Sequence, residues 1–263
     1  MGMISFVHEG TTLAAFDSEN GSGPAVLTVH GGLADHRSGL RLVEPLGGQF
    51  RVVAPDLRGA GQSLFSGALS WTTMAADLVA LLDRLEIDRA VVAGTSMGSG
   101  VALRFALDAP GRCAGLVLVS PMYPGSRHSL APAQLEALGR MDALAQRAVS
   151  EGIEALLPIY DALPPPLRDR AVTMARSFDP RSVATTTAFL LSGAQPFDSL
   201  EDLRAVGMPT MLVPGVDPQH PREVADACAR AIPDVRVCEL ADYGSALPAF
   251  VAALRPVVRL SSP

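Results

Sequence analysis

Ten residues limit most of what this chain can become: Val91-Val92-Ala93-Gly94-Thr95-Ser96-Met97-Gly98-Ser99-Gly100. They read as a short apolar strand, then Gly-x-Ser-x-Gly, then a helix running to about Ala109 before Pro110. A strand that turns sharply into a helix forces its corner residue into strained backbone angles. The residues two away on either side must then be small, or their side chains would strike the strand and the helix. The result is a serine hydroxyl held clear of the backbone at a helix N-terminus. There the Met97 N–H can point at a developing oxyanion. The bland alternative is a plain glycine-rich strand–helix turn. The Val/Ala strand before the motif and the helix after it argue against that alternative.

Composition removes several chemistries. The chain has 263 residues, 48% of them hydrophobic, enough for one large α/β domain with an inserted subdomain. Its net charge of -6 gives no basic surface for nucleic acid. All 21 basic residues are arginine, so no lysine exists for a Schiff base or a Walker A phosphate loop. Cys113, Cys228 and Cys238 follow no metal or disulfide spacing, which predicts reduced thiols and a cytoplasmic location. No apolar run reaches the length of a membrane span.

Strand and helix patterns alternate along most of the chain. Residues 3–8 and 11–16, split by Glu9-Gly10, predict an opening hairpin. Short apolar strands are expected at Ala25 to Val29, Arg51 to Pro55, the segment before Ser96, Gly115 to Val119, Pro209 to Val213 and Val235 to Leu240. Met74, Leu78, Leu81, Leu82 and Leu85 recur at helical spacing, predicting an amphipathic helix over 72–86. Further helices are expected from Pro221 to Ala231 and from Pro248 to Leu254. Between Pro121 and Val206 the strand signal vanishes, and residues 132–150, 151–162, 165–178 and 181–192 read as helices. The pattern predicts a mostly parallel sheet covered on both faces.

Taken together these pieces resemble the α/β-hydrolase superfamily. The resemblance is carried by His30-Gly31-Gly32, by Asp56-Leu57-Arg58-Gly59-Ala60-Gly61-Gln62-Ser63, by Gly94-Thr95-Ser96-Met97-Gly98 and by Gly215-Val216-Asp217, in that order, each after a strand. It implies an eight-stranded, mostly parallel sheet with helices on both faces. Residues 1–120 and 207–263 would form the core, and 121–206 a helical cap over Ser96. It also implies an oxyanion hole built from the N–H groups of Gly32 and Met97, with the His30 side chain structural. Arg58 and its glycine-rich neighbours read as a structural turn, and Trp71 as a packing residue.

The acid and base depart from the family pattern. Asp217 stands where the acid belongs, and the alternative acid position reads Ser120-Pro121-Met122-Tyr123 with no carboxylate. The usual histidine would follow the eighth strand, but Glu239 to Pro248 contains none. The five histidines are His8, His30, His36, His128 and His220, and only His220 follows Asp217, by three residues. His220 is therefore the first candidate base, with His36 and His128 as others, and a chain without a general base also stays open.

The expected function is a cofactor-independent serine hydrolase acting on an ester, lactone or thioester. Ser96 would be the nucleophile, Asp217 and His220 its acid and base, and the substrate a small molecule with an apolar acyl group. The competing readings are a lyase, cyclase or acyltransferase on the same fold, and a ligand-binding pseudoenzyme. No metal or cofactor motif is present in the sequence, no nucleic-acid or membrane partner is expected, and a homodimer stays open.

Overall fold

The computed structural model describes residues 1–65, 67–126 and 130–254. Eight strands form one sheet: β1 (Gly2–His8), β2 (Thr11–Asp17), β3 (Ala25–Val29), β4 (Val52–Pro55), β5 (Ala90–Thr95), β6 (Cys113–Val119), β7 (Thr210–Val213) and β8 (Val235–Val237). Their order is β1-β2-β4-β3-β5-β6-β7-β8. The opening hairpin pairs antiparallel, and β2 meets β4 antiparallel; every other pairing is parallel. The central strands are apolar at successive positions because each residue faces one of two cores. Leu27, Val92 and Leu118 join the core on one face, and Val26, Val91 and Val117 the core on the other.

Helices cover both faces. On the first lie α2 (Trp71–Arg84), α3 (Met97–Asp108) and α7 (Arg222–Ala231), which contribute Leu78, Phe105 and Cys228. On the second lies α8 (Tyr243–Ala253), which contributes Tyr243, Leu247 and Val251. The short α1 (His36–Leu42) follows β3. Helix α2 starts where Ser70 Oγ accepts from Thr73 N–H at 3.0 Å, satisfying one of the first-turn donors.

Between β6 and β7 the chain leaves the sheet and forms α4 (Pro132–Glu151), a 3-10 segment (Ile153–Tyr160), α5 (Pro165–Ala175) and α6 (Pro180–Leu191). This block has its own apolar cluster, including Ala148, Leu156, Tyr160, Met174 and Phe178, joined by Ala34 of the loop after β3. It docks on that loop and on the turn after β4. Tyr160 O–H donates to Leu33 C=O at 3.3 Å, Thr186 O–H to Gly59 C=O at 3.2 Å, and Phe65 N–H to Ser182 Oγ at 3.1 Å. No helix among the described residues is long and apolar enough to cross a membrane.

Three expected elements come out differently. The segment expected as a helix over 151–162 is a 3-10 helix over Ile153–Tyr160, with Gly152 at φ 92° before it and Pro158 inside it. Proline removes a donor that an α-helical ladder needs. The last strand stops at Val237 instead of Leu240, because Leu240 is exposed and the chain turns into a 3-10 segment there. Helix α8 begins at Tyr243, before Pro248. Burial of Tyr243 and Leu247 against the sheet outweighs the lost proline hydrogen bond.

The elbow depends on contact between backbones. A Cβ on Gly98 would lie 2.3 Å from Val29 O and 2.4 Å from His30 O, and one on Gly94 would lie 2.2 Å from Gly98 O. Neither strand nor helix can yield without losing its ladder. Gly98→Ala is expected to destabilise the protein by about 3 kcal/mol or more, read as a lower urea midpoint with unchanged slope.

Candidate active site

Ser96 stands at the corner between β5 and α3 with φ 52° and ψ -120°, a conformation costing a non-glycine residue about 1–3 kcal/mol. The surroundings over-determine it. Ser96 N–H donates to Val119 C=O at 3.0 Å, and Ser96 C=O accepts from Ser99 N–H at 2.9 Å and from Ser99 O–H at 2.6 Å. The Ser96 hydroxyl is thereby raised over the start of α3. Met97 N–H, the first amide of that helix, has no carbonyl one turn earlier to receive it.

His220 reaches this hydroxyl. Its Nε2 lies 2.8 Å from Ser96 Oγ, and its Nδ1 lies 2.9 Å from both carboxylate oxygens of Asp217. An ionised Asp217 only accepts, so Nδ1 carries the proton and Nε2 presents its lone pair to Ser96 O–H. The hydrogen bond from His220 holds the Asp217 carboxyl below the usual carboxylate range, against some burial. Ser96, His220 and Asp217 form one continuous chain of hydrogen bonds.

The pair is built within a single turn. Asp217 Oδ1 accepts from Gln219 N–H at 2.9 Å and His220 N–H at 3.1 Å, while Asp217 C=O accepts from His220 N–H at 3.0 Å. This is the side-chain-capped turn that aspartate favours. Gly215 makes room for it, since a Cβ there would lie 2.3 Å from His220 Cβ and 2.4 Å from His220 O. The Asp217 side chain is half exposed, while His220 is only 13% exposed because its ring turns inward to Ser96.

The loop after β3 is equally close. A Cβ on Gly31 would sit 3.4 Å from Ser96 Cβ, and one on Gly32 would sit 3.0 Å from Leu190 Cδ1 of α6 and 3.9 Å from Met97 Sδ. The Gly32 backbone thus lies beside Met97, beneath the inserted helices. A narrow cleft runs beside Gly31 and Met97. Its walls include Gly31, Met97, Gly59, Phe178, Val183 and Thr186.

The other described histidines are engaged elsewhere. His30 is buried; its Nδ1 lies 2.7 Å from Gly31 O, and its Nε2 accepts from Leu57 N–H at 3.0 Å. Burial pushes its pKa down, so it is a neutral brace beneath the loop. His36 Nδ1 lies 2.8 Å from Asp56 Oδ1, bonded away from Ser96. His8 pairs with Asp77 at 2.6 Å, and Asp77 also takes two hydrogen bonds from Arg58. His128 lies outside the described residues. Trp71 packs edge-on to Tyr123 at 4.7 Å and tilted on Phe189 at 5.0 Å.

Asp35, His36 and Asp56 offer three ligand atoms within 4.8 Å of one another, and both carboxylates already accept hydrogen bonds. Asp35 accepts from Arg37 Nε at 2.9 Å, and Asp56 accepts from His36 and from Gln62 N–H at 2.8 Å. Two residues at the site have no motif to announce them. Met122 Sδ lies 3.7 Å from Ser96 Oγ. Gln134 of α4 donates to Met122 C=O at 3.2 Å and to Gln219 C=O at 2.9 Å. In sequence Gln134 reads as an ordinary first-turn helix residue.

The family model described as the alpha/beta hydrolase fold matches residues 24–247. This chain belongs to that family. Among solved structures, a thermophilic esterase from Thermogutta terrifontis is 28% identical with a TM-score of 0.76, covering 97% of this chain and all of that one. An esterase from Exiguobacterium antarcticum, 19% identical with a TM-score of 0.77 over 96% of this chain and all of that one, shares the fold. Among curated relatives, Lipase LipV of Mycobacterium tuberculosis is 34% identical over 148 residues, 54% of this chain and 56% of the lipase. The dihydrolipoyllysine-residue acetyltransferase component of the acetoin cleaving system of Cupriavidus necator is 43% identical over 107 residues, 40% of this chain and 28% of that protein. The match thus spans about a quarter to a half of these two relatives.

The role of His36 is open to a direct check. The Asp56 hydrogen bond raises the His36 pKa above 6.5, while the His36 hydrogen bond and backbone amides lower Asp56 below 3.8 against burial. His36 therefore contributes stability that is complete below pH 6.5 and lost as pH rises through its folded value. The Asp56 contribution is complete above 3.8 and lost as pH falls through its depressed value. Buried neutral His30 acts in the opposite sense to His36. The check is accordingly a difference: wild type minus His36→Gln in urea unfolding. It is expected to peak between about pH 4 and 6.5 and shrink on either side. Ser96 reactivity in His36→Gln is expected to stay within about threefold of wild type.

Proposed function

We propose that this protein is a serine hydrolase of carboxylic esters, with lactones and thioesters as chemically equivalent substrates. One observation carries the reading: His220 bridges Ser96 Oγ and Asp217 at 2.8 and 2.9 Å. The absence of a histidine after β8 left the base in doubt, and the Asp217–His220 turn supplies one. The esterase and lipase relatives support the same bond type. With a base at hand, nothing further favours the lyase, cyclase, acyltransferase or ligand-binding readings.

The chemistry follows from the geometry. Ser96 Oγ attacks the substrate carbonyl carbon as its proton passes to His220 Nε2. The carbonyl π pair moves onto oxygen, where the N–H groups of Met97 and Gly32 stabilise it. Asp217 stabilises the imidazolium that forms. When the tetrahedral adduct collapses, the bond to the leaving group breaks and His220 returns the proton to that group. Water then attacks the acyl-Ser96 ester as His220 takes its proton, and that proton passes to Ser96 Oγ as the acyl–oxygen bond breaks, releasing the acid and free serine.

The inserted helices act as a cap. Leu190 hangs over Gly32, and Phe178 and Val183 wall the cleft beside Met97. Arg58, paired with Asp77, and Asp179, whose Oδ1 accepts from Ser182 N–H at 2.8 Å, also border this cleft. So narrow a space favours a short acyl chain over a long one.

Intact-mass labelling with a fluorophosphonate tests the reading. Wild type is expected to gain one adduct, and Ser96→Ala none. His220→Ala is expected to slow both labelling and turnover of a p-nitrophenyl ester by about 10⁴-fold or more, and Asp217→Asn by about 10³-fold or more. Short acyl chains are expected to be preferred to long ones. A folded wild type that takes no adduct would remove the reading.

A further inference from the structure

We propose that Gln134, on the inserted helix α4, is a positioning residue that holds the His220 turn in register with Ser96. The inference rests on the serine-hydrolase reading and adds to it a physical link between the cap and the base. The turn itself is self-contained: its hydrogen bonds join Asp217 to Gln219 and His220. Such a unit keeps the acid and base together but does not fix where they point. Among the described residues, Ser96 and Gln134 are the two side chains outside the turn that hydrogen-bond residues 215–220.

Every polar atom of the Gln134 carboxamide is used. Its Oε1 accepts from Ala131 N–H at 2.9 Å, and its Nε2 donates to Met122 C=O at 3.2 Å and Gln219 C=O at 2.9 Å. Two carbonyls on one side and an N–H on the other leave a single orientation for the amide. The residue is 1% exposed, so losing a donor would strand a carbonyl away from water. The two carbonyls it joins belong to residues adjoining the reaction: Met122, whose sulfur lies 3.7 Å from Ser96 Oγ, and Gln219, which precedes His220. Gln134 thus fixes the separation between the wall beside the nucleophile and the turn that carries the base. Because it sits on α4, docking of the inserted helices and alignment of the base become one event.

Gln134→Met keeps length and volume but has no donor. Gln134→Glu keeps the acceptor and faces a carboxylate toward two carbonyls. Both are compared with Leu138→Ala, which loosens a buried apolar position one turn along the same helix and removes no hydrogen bond. Fluorophosphonate inactivation is followed from pH 5 to 9, with kcat and KM on an ester that wild type turns over. Both Gln134 variants are expected to lose roughly 10- to 100-fold in inactivation rate and kcat, with KM within about threefold. The midpoint of their pH profiles is expected to move. Leu138→Ala is expected to lower Tm more, yet keep the wild-type midpoint. Imidazole ¹⁵N resonances of His220 report the same geometry without turnover, and both Gln134 variants are expected to displace them. Gln134→Met that reacts within twofold of wild type with the same midpoint would overturn the proposal, as would unchanged His220 resonances. A wild type inert to the probe would remove the hydrolase reading alone, and the resonances would still decide the placement of His220.

Discussion

The packing of Gly98 against the carbonyls of Val29 and His30 is the constraint from which the site follows. It brings helix α3 so close to strand β3 that only a hydrogen fits between them. This approach sets the loop after β3 next to the corner serine. It also fixes α3 so that its first amide faces the space above Ser96. The strained angles of Ser96 persist because Val119 and Ser99 hold its backbone from two sides. Loosening that contact would relax the corner, and the hydroxyl would lose its exposure with it.

A second constraint is separation of charge. The buried acids are each tied to a cation or a ring: Asp77 to Arg58 and His8, Asp35 to Arg37, Asp17 to Arg51 and Asp56 to His36. These pairs draw His8 and His36 into structural work and leave His220 for Ser96. The burial of His30 does the same by a different route, keeping its ring neutral beneath the loop it supports. Four of the five histidines in the chain lie in described residues, and three of those four are braces.

Much of this was legible in the sequence. The strands were readable because burial on both faces makes them continuously apolar, and the helices because Pro, Gly and Asp punctuate them. The elbow was readable because a close backbone approach admits only glycine, leaving a fixed spacing around Ser96. Asp217 and His220 were readable as candidates by position, but a three-residue separation says nothing about which way an imidazole points. That depends on Gly215, whose missing side chain makes room for His220, and on contacts far away in sequence. Gln134 was invisible for the same reason. Its partners, Met122 and Gln219, are backbone carbonyls, which leave no trace in residue identity. The misjudged elements, at 151–162 and after Val235, lie where local signals were weak and tertiary packing decided.

The compact Asp217–His220 turn also divides the chain by duty. Among the described residues, every side chain that hydrogen-bonds Ser96 or His220 is in place by residue 220. Helix α7, strand β8 and helix α8 come afterwards, and they contribute Cys228, Tyr243, Leu247 and Val251 to the two cores. In this fold the final strand and helix serve to hold the sheet together, by burial and by contacts such as Tyr243 O–H to Leu42 C=O at 2.9 Å. Their sequence is free to drift wherever volume and apolarity are kept, and a foreign segment of equal shape could be grafted there without disturbing a reacting group.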